Sequence, residues 1–347
     1  MVMELMRFEG MNKYGLTAGI ACIILSPFIL SLVSLFIGQY TLDPATVFTI
    51  LLSPVFHPDS TWTEAQANVI FNIRIPRILG AFLIGGGLSV AGAVYQSLFR
   101  NPMVSPDILG VSSGAGFGAA IAILFSLPLL LIEASAFFFG LLSVGFAITL
   151  SRIYKGESIL VLVLSGIIMS SLFTSLISLV KFVADPTSKL PAITYWLMGS
   201  LSAVTMPDIL LAGVFIIPGV AYCILIGWRL NVFSLGDEEA GALGVDTRRM
   251  KYILILISTM ITAYSVCICG IIGWIGLVIP HLGRMLVGPD NACLIPVSFF
   301  LGAAYLILID NIARNATTAE IPLGILTAIV GVPFFAYIMA RRDVGWT

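Results

Sequence analysis

The sequence predicts an all-α polytopic membrane protein of about ten transmembrane helices, and three observations carry that prediction. Hydrophobic residues make up 59% of the 347 and charged residues only 10%, with a mean hydropathy of +1.07; soluble domains carry about 25% charge. A bilayer span needs about 20 apolar residues, and roughly 205 hydrophobic residues supply about ten of them. The apolar runs are long and continuous, without the alternation that a transmembrane barrel requires.

Each element follows from the apolar runs and their polar breaks. Span 1 is expected over about 14–37; it is too long for a signal-peptide core and lacks a small-residue cleavage site, so it reads as a retained span. A wetter stretch, 39–72, holds a candidate surface helix over 42–52. Span 2 begins at Arg74-Ile-Pro-Arg77, where Pro76 fits a first helical turn, and runs to about 99. Its glycines at 85, 86, 87 and 92 allow close helix packing. The polar turn 100–107 leads to span 3 (about 108–126), then span 4 (129–150), a turn at 151–158 and span 5 (159–184). A second wet segment, 185–202, precedes span 6 (207–227). Spans 7 to 10 follow over about 252–272, 273–287, 294–311 and 322–340. No linker is long enough for a second domain, so one transmembrane domain covers 1–347.

Between spans 6 and 7 lies the most heavily charged stretch, 234–251, with four acids, then three bases, punctuated by Gly236, Gly241 and Gly244. Asp237 is placed to cap a short helix over 238–243, since a carboxylate satisfies free amide N–H groups at the positive helix end. Gly244 can stop that helix, and Asp246 or Thr247 can cap the next. The result is a stiff polar knob, either a solvated loop or a docking element for a soluble partner.

With the N-terminus inside, twelve Lys and Arg fall on the cytoplasmic side and five outside, accounting for all 17. That bias places the knob and both termini in the cytoplasm. The five cysteines sit in apolar runs or at a span edge. Cys267 and Cys269 would point about 200° apart on a helix, so they do not form a chelating pair. His57 and His281 lack partners at ligand spacing, and no metal site is expected. A net charge of −1, with no basic run longer than two residues, gives no reason to expect nucleic acid.

Five stretches carry a resemblance. They are Arg74-Ile-Pro-Arg77, the run from Tyr95 through Arg100-Asn-Pro-Met-Val-Ser-Pro-Asp107 to Ala115, Gly236-Asp-Glu-Glu-Ala-Gly-Ala-Leu-Gly-Val245, Gly273-Trp-Ile-Gly-Leu-Val-Ile-Pro-His-Leu-Gly-Arg284, and Glu320-Ile-Pro through Val-Pro333. In this order they resemble the signature stretches of FecCD-type permeases, the membrane subunits of ABC importers for iron–siderophores, haem and vitamin B12. The resemblance implies a type II importer permease fold, a second permease subunit (a homodimer being the expected pairing), two cytoplasmic ATPases and an extracytoplasmic binding protein, in a prokaryotic inner membrane. The cargo it implies is a metal chelate, most often iron–siderophore, with haem, cobalamin or molybdate and tungstate as alternatives. Independently, no G-x-x-x-x-G-K-[ST] occurs, so no P-loop cradles a nucleotide in this chain. The chain is expected to be no enzyme and to need no cofactor, ATP and Mg belonging to the partner ATPase.

The same resemblance distributes the roles. Gly236, Asp237, Glu238, Glu239, Ala240, Gly241, Leu243 and Gly244 would couple to the ATPase, within coupling helices at about 234–250. Arg74, Arg77 and Arg314 would meet acids on the binding protein, although snorkelling is the other reading, and Asp310 is placed at i,i+4 to bridge Arg314. Asn101, Pro102 and Met103 would form one cytoplasmic gate turn, and Glu157 and Ser158 the other. Ser171, Thr174, Ser175 and Ser178 share one helical face and would line the path, unless they only bond their own backbone. An ion-coupled secondary transporter would need acidic residues near span midpoints; apart from Glu133 near one span end and Asp310 near another, none is found there. A membrane enzyme would need His and carboxylates clustered within a span, and there are none.

Overall fold

The computed structural model describes residues 13–56, 62–154 and 159–340. The described residues are helical with no strand. The helices are α1 (Lys13–Ser34), α2 (Pro44–Phe56), α3 (Glu64–Asn68), α4 (Ile75–Leu98), α5 (Val111–Leu124), α6 (Leu129–Ile153), α7 (Ile159–Val183) and α8 (Lys189–Met198). They continue as α9 (Met206–Leu225), α10 (Gly227–Leu235), α11 (Asp237–Ala242), α12 (Thr247–Cys269), α13 (Ile275–Val287), α14 (Asn291–Asn315) and α15 (Leu323–Ala340). Seven of these stretches are long and apolar enough to cross a membrane: those ending in α1, α4, α6, α7, α9, α12 and α14. The shorter apolar helices are α2, α5, α13 and α15, of which the last three coincide with expected spans 3, 8 and 10.

Helix α4 is the central post. Every residue from Ile84 to Leu98 is buried, and α14, α12, α13 and α9 pack around it. The glycines make this possible: a Cβ on Gly85 would overlap the Gly302 carbonyl of α14, and one on Gly92 would overlap the Gly276 carbonyl of α13. Helices α6 and α7 bury only one side, leaving Leu160, Leu164, Ile168, Leu172 and Phe182 outward. In water that face would be an aggregation hazard; it suits lipid or a partner subunit.

The short spans need their ends closed. Helix α5, 14 residues long, reaches only about 21 Å, less than the roughly 30 Å hydrocarbon core. The turn before it is therefore held by Asp107, whose Oδ1 accepts the Ser112 N–H at 2.7 Å, and by left-handed Gly110 (φ 82°). At the other side of the bundle, Ser200 N–H donates to the Cys269 carbonyl at 2.8 Å and Leu323 N–H to the Gly199 carbonyl at 2.9 Å. Irregular backbone inside protein is thus paired, as a low-dielectric setting requires.

Several boundaries differ from expectation. Span 2 begins earlier than Arg74: a capping box at Thr63, with reciprocal bonds to Gln66 of 2.9 and 3.3 Å, starts α3, and a π-helical turn, Val69–Arg74, carries it into α4. The wet segment 185–202 contains α8, whose Ile193 is fully buried against Ala120, Val180 and Ala184. Span 9 is longer than expected and span 3 shorter. The candidate surface helix is present as α2, packing Val47 and Ile50 onto Ile70.

Candidate coupling knob, gate turn and charged rim

The knob is built from α10, α11 and the start of α12. Gly236 precedes α11 with φ 141°, a conformation that side chains rarely adopt, and it is this residue, not Asp237, that occupies the capping position. Asp237 is the first helical residue, and its carboxylate accepts from Arg100 at 2.9 Å. The other two expectations hold. Gly244 turns the chain at φ 81°, and Asp246 caps α12 by accepting the Arg249 N–H at 2.9 Å. Ala240 is fully buried and anchors α11, whereas Glu238, Glu239, Gly241 and Leu243 are exposed, with open space beyond Gly241. Stiffness comes from ties to the bundle: Asn231 of α10 donates to Asp290 at 2.6 Å and accepts the Asn291 N–H at 2.8 Å at the start of α14.

Next to the knob, Asn101, Pro102 and Met103 form a tight turn after α4. Asn101 Oδ1 accepts the Met103 N–H at 2.8 Å, and Met103 is exposed. Glu157 and Ser158, expected in a second gate turn, lie outside the described residues.

Helix α4, 24 residues long, rises about 36 Å, with Arg77 near its start and Arg100 just past its end, so the arginines stand at the opposite end from the knob. Arg74, Arg77 and Arg314 were expected to present charge outward. Instead they are only 2%, 4% and 6% exposed. Arg77 Nε sits 2.7 Å from Asp310, and its Nη1 is 2.6 Å from Glu320. Arg314 lies 3.7 Å from Asp310, at the i,i+4 position, and also donates to Ser34 and Asn311. Arg74 donates to the carbonyls of Leu35 and Tyr40. A buried guanidinium needs acceptors for its donors, and this chain supplies most of them internally; of the three arginines' nitrogens, Arg314 Nε alone is buried without a hydrogen bond, 3.7 Å from Asp310. The cluster staples α1, α4, α14 and the turn before α15 into one rim. Glu320, on that turn, was not singled out in the sequence; its partner, Arg77, lies 243 residues away.

The four hydroxyls of α7 all face outward from the chain. Ser175 donates to the Ser171 carbonyl at 2.9 Å and Ser178 to the Thr174 carbonyl at 3.0 Å, so their bonding is local while the face itself stays uncovered. Beside the rim, α8 and residues 319–325 enclose a depression of about 510 Å³, lined by Leu190, Thr194, Tyr195, Met198, Glu320 and Ile325 among others. Asp185, in the turn before α8, accepts four bonds of 2.8–3.0 Å from Thr187 and Ser188. The Thr187 hydroxyl leads in holding its carboxyl down to about 2.

Apolar helices packed around one buried post, with a stiff acidic knob at one end, are the build of a polytopic membrane subunit. The chain belongs to the FecCD transport family, whose model matches residues 24–341. It is 39% identical over 325 residues to the molybdate import system permease protein MolB of Haemophilus influenzae, covering 91% of this chain and 94% of that one. It is 38% identical over 273 residues to a Helicobacter pylori iron chelatin transport system permease protein, described as probable, covering 79% and 82%. A solved structure described as an inward-facing ABC transporter of metal-chelate type superposes with a TM-score of 0.83 at 38% identity, covering 94% of this chain and 99% of that one. The chain is therefore a multi-pass permease subunit of an ABC importer, with ATP hydrolysis in separate subunits.

Proposed function

We propose that this permease moves a metal chelate, iron–siderophore first, inward by alternating access as a homodimer. An extracytoplasmic binding protein delivers the chelate, and two ATPases that bind ATP and Mg grip the knob from the cytoplasm. The observation that carries the coupling role is the exposed face of α11, acidic and rimmed by Leu235 and Leu243, on a helix anchored by buried Ala240. Gly241 leaves open space where a groove wall can close on it. The turn 101–103 acts as a gate, and the uncovered hydroxyl face of α7 lines the path against the second subunit, since hydroxyls gain nothing from facing lipid. Lys and Arg asymmetry supports cytoplasmic termini. The binding protein docks at the charged rim. With their guanidinium groups turned inward, Arg74, Arg77 and Arg314 serve docking by holding the rim in shape, rather than by direct contact.

For the cargo, the depression between α8 and 319–325 supports a bulky, largely apolar ligand. Its lining carries one carboxylate, Glu320, and no Lys or Arg. Molybdate or tungstate is the second reading, favoured by MolB being similar over nearly its whole length. The test loads the reconstituted permease–ATPase complex with its binding protein and ferric siderophores, haem, cobalamin or molybdate in separate arms. ATP-dependent uptake of ferric siderophore supports the proposal; uptake of molybdate alone replaces the cargo. Uptake driven by an ion gradient without the ATPase overturns the coupling.

A further inference from the structure

The residue that joins the knob to the gate turn stands in a backbone conformation its own side chain disfavours. Helix α4 ends with the Phe99 N–H donating to the Tyr95 carbonyl at 2.8 Å and the Asn101 N–H to the Gln96 carbonyl at 3.1 Å. Arg100, between them, has φ 49°, the left-handed position that usually goes to glycine at a helix end. Local geometry therefore gives no reason for arginine here. Its side chain does: Nη2 lies 2.9 Å from Asp237 Oδ1, and the guanidinium carbon is 5.8 Å from the Phe233 ring centre. Asp237 opens α11 and Phe233 is the buried anchor of α10, so Arg100 grips both short helices of the knob. Lys251, from the first turns of α12, stands 4.0 Å from the other Asp237 oxygen.

Immediately after Arg100 comes the turn Asn101–Pro102–Met103. Its far side is braced by Gln96, whose Nε2 donates to the carbonyls of Val104 (3.2 Å) and Leu277 (3.3 Å) and whose Oε1 accepts from Arg284. The turn is thus held from the bundle by Gln96 and from the knob by Arg100. Apart from this pair and Lys251, no ion pair among those seen in the described residues involves the knob acids.

We infer that Arg100 and Asp237 form a positioning pair that passes displacement of the knob to the gate turn. The inference rests on the coupling reading of α11. With side chains 35% and 52% exposed, the pair adds little to stability and is cheap to break and remake within a transport cycle. It acts as a register contact between two moving parts.

The test uses the assembled permease–ATPase complex with its binding protein in liposomes, and reads cargo taken up per ATP hydrolysed. Arg100→Gly removes the contact while relieving the left-handed strain, so the fold is not put at risk; Arg100→Glu sets two like charges together; Arg100→Lys keeps the charge and the reach. The expected result is that Gly and Glu lower the uptake-to-hydrolysis ratio by up to about five-fold, near the limit of what an exposed ion pair can bias. Lys retains most of the ratio, and melting of the permease is unchanged in all three. An unchanged ratio in Arg100→Glu overturns the proposal, as does an equal loss in Lys and Gly. Gly241→Trp separates the two ideas: if that variant still assembles with the ATPase and transports normally, the coupling reading fails, whatever Arg100 does.

Discussion

Asp310 holds the rim together, and removing its carboxylate is the sharpest test of the view that the arginines at that end are structural. In the wild-type chain one carboxylate, 2% exposed, receives Arg77 at 2.7 and 3.0 Å and faces Arg314 at 3.7 Å. Asp310→Ala leaves Arg314 with neutral partners only and Arg77 with Glu320 alone. Breaking a buried pair from one side costs about 3–5 kcal/mol, because the remaining charge stays buried without compensation. The comparison is Glu320→Gln: that acid is about a third exposed, water can replace its contact with Arg77, and the loss should be about 1 kcal/mol or less. Melting of the purified permease in detergent, followed by intrinsic fluorescence, should therefore drop several-fold further for Asp310→Ala than for Glu320→Gln. If Asp310→Ala melts like the wild type and only capture of the binding protein is lost, the arginines are docking charges after all and the burial argument fails.

Three further outcomes follow from the geometry. Gly92→Val drives a side chain into the Gly276 backbone carbonyl between α4 and α13; overpacking of this kind costs about 1–3 kcal/mol or more, read as a lower melting midpoint, whereas Gly145→Ala, with nothing within 4 Å, should be silent. Gly241→Trp should leave melting intact, since α11 has open space there, while ATPase association in a pull-down is lost; Ala240→Trp should instead damage the fold, because Ala240 is buried in its own chain. The Asp185 carboxyl should titrate near 2, not near the ordinary value of about 3.9. A depressed native value means that its bonds to Thr187 and Ser188 support the turn fully above about pH 4 and are lost only as pH falls through 2; a titration of ¹³C-labelled aspartate with a midpoint at 4 would contradict this.

Much of the architecture could be read without coordinates, because lipid imposes one rule on every span: long apolar runs must become helices, and polar breaks must fall between them. The knob was equally legible, since Gly244 and Asp246 act through their immediate neighbours. Asp237 was misjudged because a cap and a first helical residue differ by one position, and its carboxylate instead meets Arg100, 137 residues away. Helix α8 was missed because its 10 residues are too short to read as a span, and its stability comes from packing Ile193 beneath α5 and α7.

What the amino-acid order determined alone was the number and sequence of spans, the charged segment between two of them, and the lack of a phosphate-binding loop, all of which depend on neighbours along the chain. Only the tertiary structure decided which charges meet water. Arg74, Arg77 and Arg314 have the composition of a docking patch, yet folding brings Asp310, Glu320, Asn311, the Ser34 hydroxyl and the carbonyls of Ser34, Leu35 and Tyr40 around them. An ionised group in a low-dielectric interior is stable only where such partners converge in space, and apart from the steps within α14 that convergence spans 34 to 280 residues and leaves no mark on local sequence.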